Sequence, residues 1–237
     1  MLAIGNKYCF VGKKDEAIDL SEKLLERLIQ VHGPEHHLSV QEMGSLGFKF
    51  YEQTRYNEAE SVLQKTFDGL RRLHGDSHIE TQRILAVLAD VKGSKGETHQ
   101  AEVMFRVAID GILRCVGEDN TEYLTIALKF AVFLNANEKY LEAATFGRKV
   151  FETFARTQGY SHQHTINSLF PYTESLVNSG LPGTIHEATA LLRHMRDECS
   201  RTYGTESPQV ERIESAIGDI HKVMNSGHSD LARGDKC

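Results

Sequence analysis

The sequence predicts an all-α protein, a solenoid of about five helical hairpins followed by a C-terminal capping helix. The first observation is a stripe of apolar residues at helical spacing, which begins at Ala59 and recurs every 42 residues, except for a last interval of 45 that lengthens repeat five. The second is a glycine that follows each stripe. The third is a pair of neighbouring residues, one large and one small, in the segment before each stripe; this pair recurs every 42 residues. Self-similarity at a fixed period of this length is typical of repeat proteins.

The apolar stripe defines the second helix of each repeat, which we name helix B. Its apolar positions are separated by 3 or 4 residues and therefore lie on one face of an α-helix. The first residues of the five stripes are Ala17, Ala59, Ala101, Ala143 and Ala188. The glycines after them are Gly33, Gly75, Gly117, Gly159 and Gly204. Glycine at this place suits a residue that ends a helix in the left-handed αL conformation.

The first helix of each repeat, helix A, carries the large and small residues. The pairs are Ile4-Gly5, Leu46-Gly47, Leu88-Ala89, Phe130-Ala131 and Tyr172-Thr173. A small residue beside a large one lets two helix backbones approach while the neighbour fills the groove between them. We therefore expect the small residues of the A helices and the alanines of the B helices to lie where helices cross.

The period sets the predicted boundaries. The repeats cover residues 1–36, 37–78, 79–120, 121–162 and 163–207, and the capping helix covers 208–224. Ser77, Asn120 and Ser207 are predicted to cap the helices that follow them. Pro171 lies inside helix A of repeat five, where we expect a kink or break. Residues 225–237 are rich in Gly, Ser and Asp and are predicted to be a disordered tail.

Composition narrows the classes of partner. The chain has 237 residues, of which 40% are hydrophobic and 25% charged, and its net charge is −6. Its Lys and Arg residues are scattered, so no nucleic-acid partner is indicated. No apolar run approaches the ~20 residues of a membrane helix, and no signal peptide is evident. Cys115 and Cys199 fall on helix stripes and are predicted to be core residues in a reducing compartment, so a cytoplasmic location is expected.

Two short motifs accompany the period. Gly-x-x-His occurs at Gly33, Gly75 and Gly159, and Tyr-x-Glu-Ala occurs at Tyr56 and Tyr140. With these motifs, residues 1–224 resemble the 42-residue tetratricopeptide repeats of kinesin light chains. The resemblance implies a right-handed superhelix whose concave wall, built by the A helices, binds peptides or partner proteins. Asparagines often occupy that wall in similar repeats, but the aligned positions here, 44–45, 86–87, 128–129 and 170–171, hold none.

The candidate site is the predicted concave face of the A helices. Its residues are Gln41, Ser45, Phe48, Arg83, Asp90, Thr125, Lys129, Val132, Asn167 and Glu174. The wall is mixed and partly apolar, which favours an amphipathic or hydrophobic segment of a partner protein over an acidic one. The function predicted is therefore a non-enzymatic scaffold for protein–protein interaction.

One alternative is that the array is a structural, sensor or self-association part of a larger multidomain protein. Repeat one is truncated, because Met1 falls inside its helix A. The apolar face formed by Leu20, Leu24 and Leu28 is then expected to lack its usual cover. Self-association through this end is the result that we expect from an exposed apolar face.

No sequence motif indicates catalysis, a metal or a cofactor. Gly-x-Ser-x-Gly, a phosphate-binding loop and His-Glu-x-x-His are all missing from the sequence. The pairs His32–His36 and His74–His78 straddle a helix-ending glycine, so their imidazoles are not expected to converge on a metal. An unrecognised hydrolase is a remote alternative.

Overall fold

Ten α-helices and no strand make up the part of the chain described by this computed structural model, which covers the backbone of residues 14–234 and the side chains of residues 15–224. The helices are α1 (Lys14–His32), α2 (His37–Glu52), α3 (Tyr56–His74), α4 (Ile79–Ser94), α5 (Thr98–Val116), α6 (Thr121–Ala136), α7 (Tyr140–Gln158), α8 (Gln163–Asn178), α9 (Thr184–Tyr203) and α10 (Pro208–Gly234). The prediction of an all-α helical repeat protein is confirmed.

Helix lengths follow the sequence period. The A helices α2, α4, α6 and α8 each have 16 residues. The B helices α1, α3, α5 and α7 each have 19 residues. Helix α9 has 20 residues and follows the lengthened turn of repeat five, which contains Gly180 and Gly183, both with positive φ. The repeat is thus one short and one long helix joined by two short turns.

The packing of small residues agrees with the pattern. All five alanines that begin the B stripes have no exposed surface: Ala17, Ala59, Ala101, Ala143 and Ala188. The large A-helix residues Leu46, Leu88, Phe130 and Tyr172 are buried too. Gly47 lies so close to Leu63 of α3 that an added Cβ would be 2.6 Å from the Leu63 Cγ. The prediction that small residues lie at the helix crossings is confirmed; Ile4 and Gly5 lie outside the described residues.

The glycines between B and A helices have positive φ, as predicted, but they are not in the αL conformation. Gly75, for example, has φ 86° and ψ 170°, and Gly117 has φ 80° and ψ 173°. The αL region has ψ near +47°, whereas positive φ with ψ near 170° is accessible essentially to glycine alone. The chain therefore leaves each of these helices in an extended direction that no other residue type adopts readily.

Histidines cap three of the A helices. His36, His78 and His162 each accept a hydrogen bond at Nδ1 from the backbone N–H two residues later, at 3.2–3.3 Å. The prediction that Ser77 caps α4 is wrong, because His78 occupies that position. Asn120 caps α6 as predicted, since its Oδ1 accepts from the N–H of Glu122 at 2.8 Å.

Ser207 precedes Pro208 at the start of α10, but its buried hydroxyl oxygen has no hydrogen-bond partner among the described residues. Helix α10 therefore begins at Pro208, as predicted, whereas the predicted hydroxyl cap is not observed.

A side-chain hydroxyl three residues after each of these histidines forms a hydrogen bond across the same turn. Ser39 donates to the carbonyl of Gly33, Thr81 to that of Gly75 and Thr165 to that of Gly159, at 2.8–2.9 Å. The turn sequence is thus Gly-x-x-His-x-x-Ser/Thr, in which glycine sets the backbone, histidine caps the next helix and the hydroxyl ties the two together. Short turns of this kind bind the last carbonyls of one helix to the first donors of the next.

Three further sequence predictions need correction. Helix α8 continues through Pro171, from Gln163 to Asn178, so no break occurs there. Helix α10 runs to Gly234 rather than ending near Met224. Cys115 is exposed and donates to the carbonyl of Ser77, so it is not a core residue. Cys199 is fully buried, as predicted.

The chain forms two compact units, residues 1–126 and 127–237, and each has its own core. The first core includes Ile18, Val40, Leu63 and Ile84. The second includes Ile166, Leu192, Met195 and Ile213. Among the described helices, none combines the length and apolar character needed to span a membrane.

Candidate binding surface

The ten candidate residues lie at three equivalent positions of the A helices. Gln41, Arg83, Thr125 and Asn167 share the first position, Ser45 and Lys129 the second, and Phe48, Asp90, Val132 and Glu174 the third. Each of them is exposed or half-buried. The periodicity therefore identified solvent-accessible positions, which a binding surface requires.

Four candidate residues of the first unit meet in one cleft. Gln41, Ser45 and Phe48 on α2 and Arg83 on α4 line a cavity of about 110 Å³. Apolar side chains from three helices line it as well: Val40, Leu70 and Ile84, all buried. The cleft thus combines an apolar interior with polar groups from two neighbouring A helices.

Gly44 keeps this cleft open. The residue is buried and lines the cavity. A Cβ at this position would be 3.3 Å from Thr66 Cγ2 and 3.7 Å from Ile84 Cδ1. Because glycine has no side chain, the space beside Phe48 stays unfilled.

The charged groups at this cleft have both signs. Arg83 is exposed, and its Nε lies 3.8 Å from Glu122 Oε1 at the start of α6. Glu80, which is half-buried, lines the same cavity. An exposed ion pair at this distance contributes little stability, so the guanidinium can exchange Glu122 for another carboxylate or carbonyl at small cost.

Asp90 has a partner within the fold. The Tyr51 hydroxyl on α2 donates to Asp90 Oδ2 on α4 at 2.8 Å. Burial and the nearby Asp90 carboxylate raise the pKa of Tyr51 well above its ordinary value. The carboxylate of Asp90 therefore joins two adjacent A helices, a role that the sequence interpretation missed.

Spacing could have revealed this contact. Tyr51 and Asp90 are 39 residues apart, and so are Arg83 and Glu122. In both pairs the partner on the next A helix lies 39 residues later. This is about one helical turn before the position that is equivalent by the 42-residue period. Polar pairs at a spacing of 39, rather than 42, were the available signal.

The remaining candidates do not line this cleft. Thr125 is exposed, and its hydroxyl donates to the carbonyl of Thr121 within α6. Lys129 is half-buried and Val132 is about half exposed, at 49%. In the second unit Asn167 Oδ1 accepts from Arg212 of α10 at 3.1 Å, and Glu174 is exposed.

The predicted self-association face is only partly exposed. Leu20, Leu24 and Leu28 are half-buried, while Val31 at the end of α1 has an exposed fraction of 69%. The predicted first helix A, including Ile4 and Tyr8, falls outside the described residues. Self-association through this end stays a prediction.

The histidines at the turns come closer together than the sequence suggested. The ring centroids of His32 and His36 lie 4.5 Å apart and stacked, and so do those of His74 and His78. The sequence expectation concerned only convergence on a metal, and it did not anticipate that the two rings would stack across the glycine. Among the described residues, no group of three or more His, Cys, Asp or Glu side chains is placed to hold a metal ion.

The comparisons with known proteins place this fold. Residues 43–80 match the family model of the tetratricopeptide repeat. No curated protein matches the sequence.

Solved structures match over most of the chain. One holds nearly identical tetratricopeptide-like repeats from a putative kinesin light chain of Podosopora anserina. It is 17% identical, covers 85% of this chain and 94% of its own, and has a TM-score of 0.71. A substituted form of the same protein gives 18% identity, 84% and 93% coverage, and a TM-score of 0.72. BtubC (BKLC) from P. vanneervenii is 14% identical, with coverages of 90% and 92% and a TM-score of 0.55.

Helical hairpins with a fixed period, and a repeat model that matches residues 43–80, give this chain a tetratricopeptide-like repeat fold. Its fold is of the kinesin-light-chain-like type, as the 42-residue period and the Gly-x-x-His motif predicted.

Proposed function

We propose that this protein is a non-enzymatic interaction scaffold and that the cleft between α2 and α4 binds a segment of a partner protein. Repeat arrays of this class present extended surfaces to other proteins. The observation that carries the proposal is the meeting of Gln41, Ser45, Phe48 and Arg83 in one cavity with an apolar interior. Four side chains identified by period alone thus face the same space.

The shape and polarity of the cleft suggest how a segment binds. A volume of about 110 Å³ leaves room for an apolar side chain beside Phe48. Arg83 can then donate to a carboxylate or to a backbone carbonyl of the segment, because a guanidinium offers several donors in a fixed geometry. Gln41, exposed on the adjacent turn, can pair with the backbone amide groups.

Binding energy in such an interface is expected to come from few residues. Buried aromatic and arginine side chains dominate interfaces, while the surrounding contacts mainly exclude water. Phe48→Ala and Arg83→Ala should therefore each weaken binding by about 2 kcal/mol, a loss of roughly thirtyfold in affinity.

The test begins with a selection of peptides from a randomised library displayed on phage, using the intact chain as the target. The selected peptides are synthesised, and their affinities are measured by fluorescence anisotropy for wild type, Phe48→Ala and Arg83→Ala. Lys65→Ala and Arg106→Ala on the B helices α3 and α5 are the matched controls, since both residues are exposed there. Equal losses in both sets, or losses only in the controls, contradict the proposal.

A further inference from the structure

A second and larger cavity lies within the second unit, between α8 and α10. Its volume is about 370 Å³, and its lining is mainly apolar. The apolar lining residues are Phe170, Val177, Leu192, Ala216, Ile220 and Val223. The cavity is therefore more than three times as large as the cleft between α2 and α4.

Two acidic residues stand beside this apolar lining. Glu174 on α8 and Asp219 on α10 both line the cavity and are exposed. Asp219 Oδ1 accepts from Lys222 at 2.7 Å, but both members of that pair are largely exposed. Exposed pairs contribute little, so Asp219 can exchange Lys222 for a cation of a ligand.

Phe170 is held in place by Arg212. The guanidinium of Arg212 lies 4.1 Å from the centroid of its ring, and Arg212 also donates to Asn167 at 3.1 Å. These contacts hold the ring and occupy the guanidinium of Arg212. The charges left facing the cavity are thus the carboxylates of Glu174 and Asp219.

We propose that this cavity, which we name the α8–α10 cleft, binds a partner-protein segment that presents a large apolar side chain next to Lys or Arg. The apolar side chain enters the space between Phe170 and Ile220, and the cation meets Glu174 and Asp219. Because transfer of a large apolar side chain out of water is favourable, the apolar insertion supplies most of the affinity. The two carboxylates supply the preference for a basic neighbour.

This site differs from the cleft between α2 and α4 in its charge. Arg83 at the first cleft favours carboxylates and carbonyls, whereas Glu174 and Asp219 at the second favour cations. The second site stands independently of the first, because different residues in a different unit carry it.

The test uses two variants of the intact chain and one matched control. Glu174→Lys reverses an exposed charge at the cleft, and Ala216→Leu fills part of the cavity. Glu214→Lys, on the exposed side of α10 and not part of the cavity lining, makes the same charge change elsewhere. Unfolding temperatures of all three are compared with wild type, so that an effect of Ala216→Leu on folding is recognised.

Peptides are selected from a randomised library displayed on phage, with Arg83→Glu as the target so that the first cleft is impaired. We expect enrichment of peptides that have a Leu, Ile or Phe next to Lys or Arg. Their affinity should fall at least tenfold with Glu174→Lys and be unchanged with Glu214→Lys. Ala216→Leu, if it unfolds like wild type, should weaken the same peptides.

Three results overturn the proposal. The first is no enrichment, or enrichment of acidic peptides. The second is equal affinity for Glu174→Lys and Glu214→Lys. The third is a wild-type dimer in light scattering that both cleft variants dissociate, since a second copy of the chain is then the occupant. If the peptides lose affinity only for the Arg83 or Phe48 variants, they bind the first cleft and not the α8–α10 cleft. Each proposal can therefore be contradicted without the other.

Discussion

The Tyr51 hydroxyl donates a hydrogen bond to the Asp90 carboxylate, 39 residues later in the chain, at 2.8 Å. The bond joins α2 to α4, the two helices that form the first cleft. A hydrogen bond between half-buried groups specifies how far one helix is shifted along the other, because the donor and acceptor meet in only one register. The geometry of the cleft therefore depends on a polar pair outside its lining.

The first prediction concerns this pair. Tyr51→Phe removes the donor and keeps the ring, so the free energy of unfolding should fall by about 1.5–3 kcal/mol, as for other hydrogen bonds to charged groups. Urea denaturation followed by circular dichroism measures the change. Tyr56→Phe is the matched control, because Tyr56 is also half-buried and lies beside Tyr51, with 6.1 Å between ring centroids. An equal effect of the two changes contradicts the importance of the hydrogen bond.

The second prediction concerns the pH dependence of a helix cap. The pKa of His36 is lowered from its ordinary value of 6.5 by desolvation and by the neighbouring His37 and His32. Its Nδ1 can accept the N–H of Leu38 only when the imidazole is neutral. The unfolded chain therefore takes up the proton at higher pH than the folded chain. The stabilising contribution is complete above about pH 6.5 and is lost as the pH falls towards the folded-state pKa.

His36→Asn tests this, because asparagine is a good N-cap that does not titrate. Between about pH 8 and pH 5, the unfolding temperature of wild type should fall more steeply than that of His36→Asn. Parallel curves for the two proteins would show that protonation of His36 does not affect stability.

The third prediction compares two phenylalanines that lie on consecutive B helices, α3 and α5. Phe105 on α5 has no exposed surface, whereas Phe67 on α3 is only half-buried. Phe105→Ala should cost about 3–5 kcal/mol, because it leaves a cavity in a closed core. Phe67→Ala should cost roughly 1–2 kcal/mol, since less of its surface leaves water on folding. Chemical denaturation of both variants measures the loss in free energy of unfolding. Equal losses would contradict the packing described for α5.

Much of the architecture could be predicted because it depends on local rules. The apolar stripe and the alanines at the start of the B helices follow from helical periodicity and from the space available where helices cross. Histidine capping was missed because Ser77 has the more common capping side chain, while the extended exit from Gly75 leaves His78 in the capping position. The αL prediction failed because a glycine with positive φ can have different ψ angles, and here ψ is near 170°, which directs the chain away from the helix.

The candidate site could be predicted only in part. The period identified which A-helix residues face solvent, so Gln41, Ser45 and Phe48 were found. The partners of Arg83 and Asp90 depend on the shift between neighbouring helices, which side-chain packing determines and the period does not reveal. The cleft between α8 and α10 was missed for a related reason, because one side of it is formed by residues of α10 that lie beyond the five repeats.

The last prediction compares two glycines of α2. Replacing glycine by alanine inside a helix usually stabilises it by about 1 kcal/mol, because the unfolded chain loses less freedom. At Gly44 the new Cβ would be 3.3 Å from Thr66 Cγ2, a distance that a small side-chain shift relieves. At Gly47 it would be 2.6 Å from Cγ of the fully buried Leu63, which has no free space to move into.

Gly44→Ala should therefore leave the free energy of unfolding equal to wild type or slightly higher, whereas Gly47→Ala should lower it by about 1–3 kcal/mol. Gly44→Ala also narrows the first cleft, so peptides selected for that cleft should bind it more weakly even though the fold is intact. Urea denaturation and fluorescence anisotropy measure the two properties on the same samples. If Gly44→Ala destabilises the protein as much as Gly47→Ala does, α2 packs more tightly beside the cleft than the distances indicate. If Gly44→Ala is stable and binds those peptides with wild-type affinity, they do not enter the space beside Phe48.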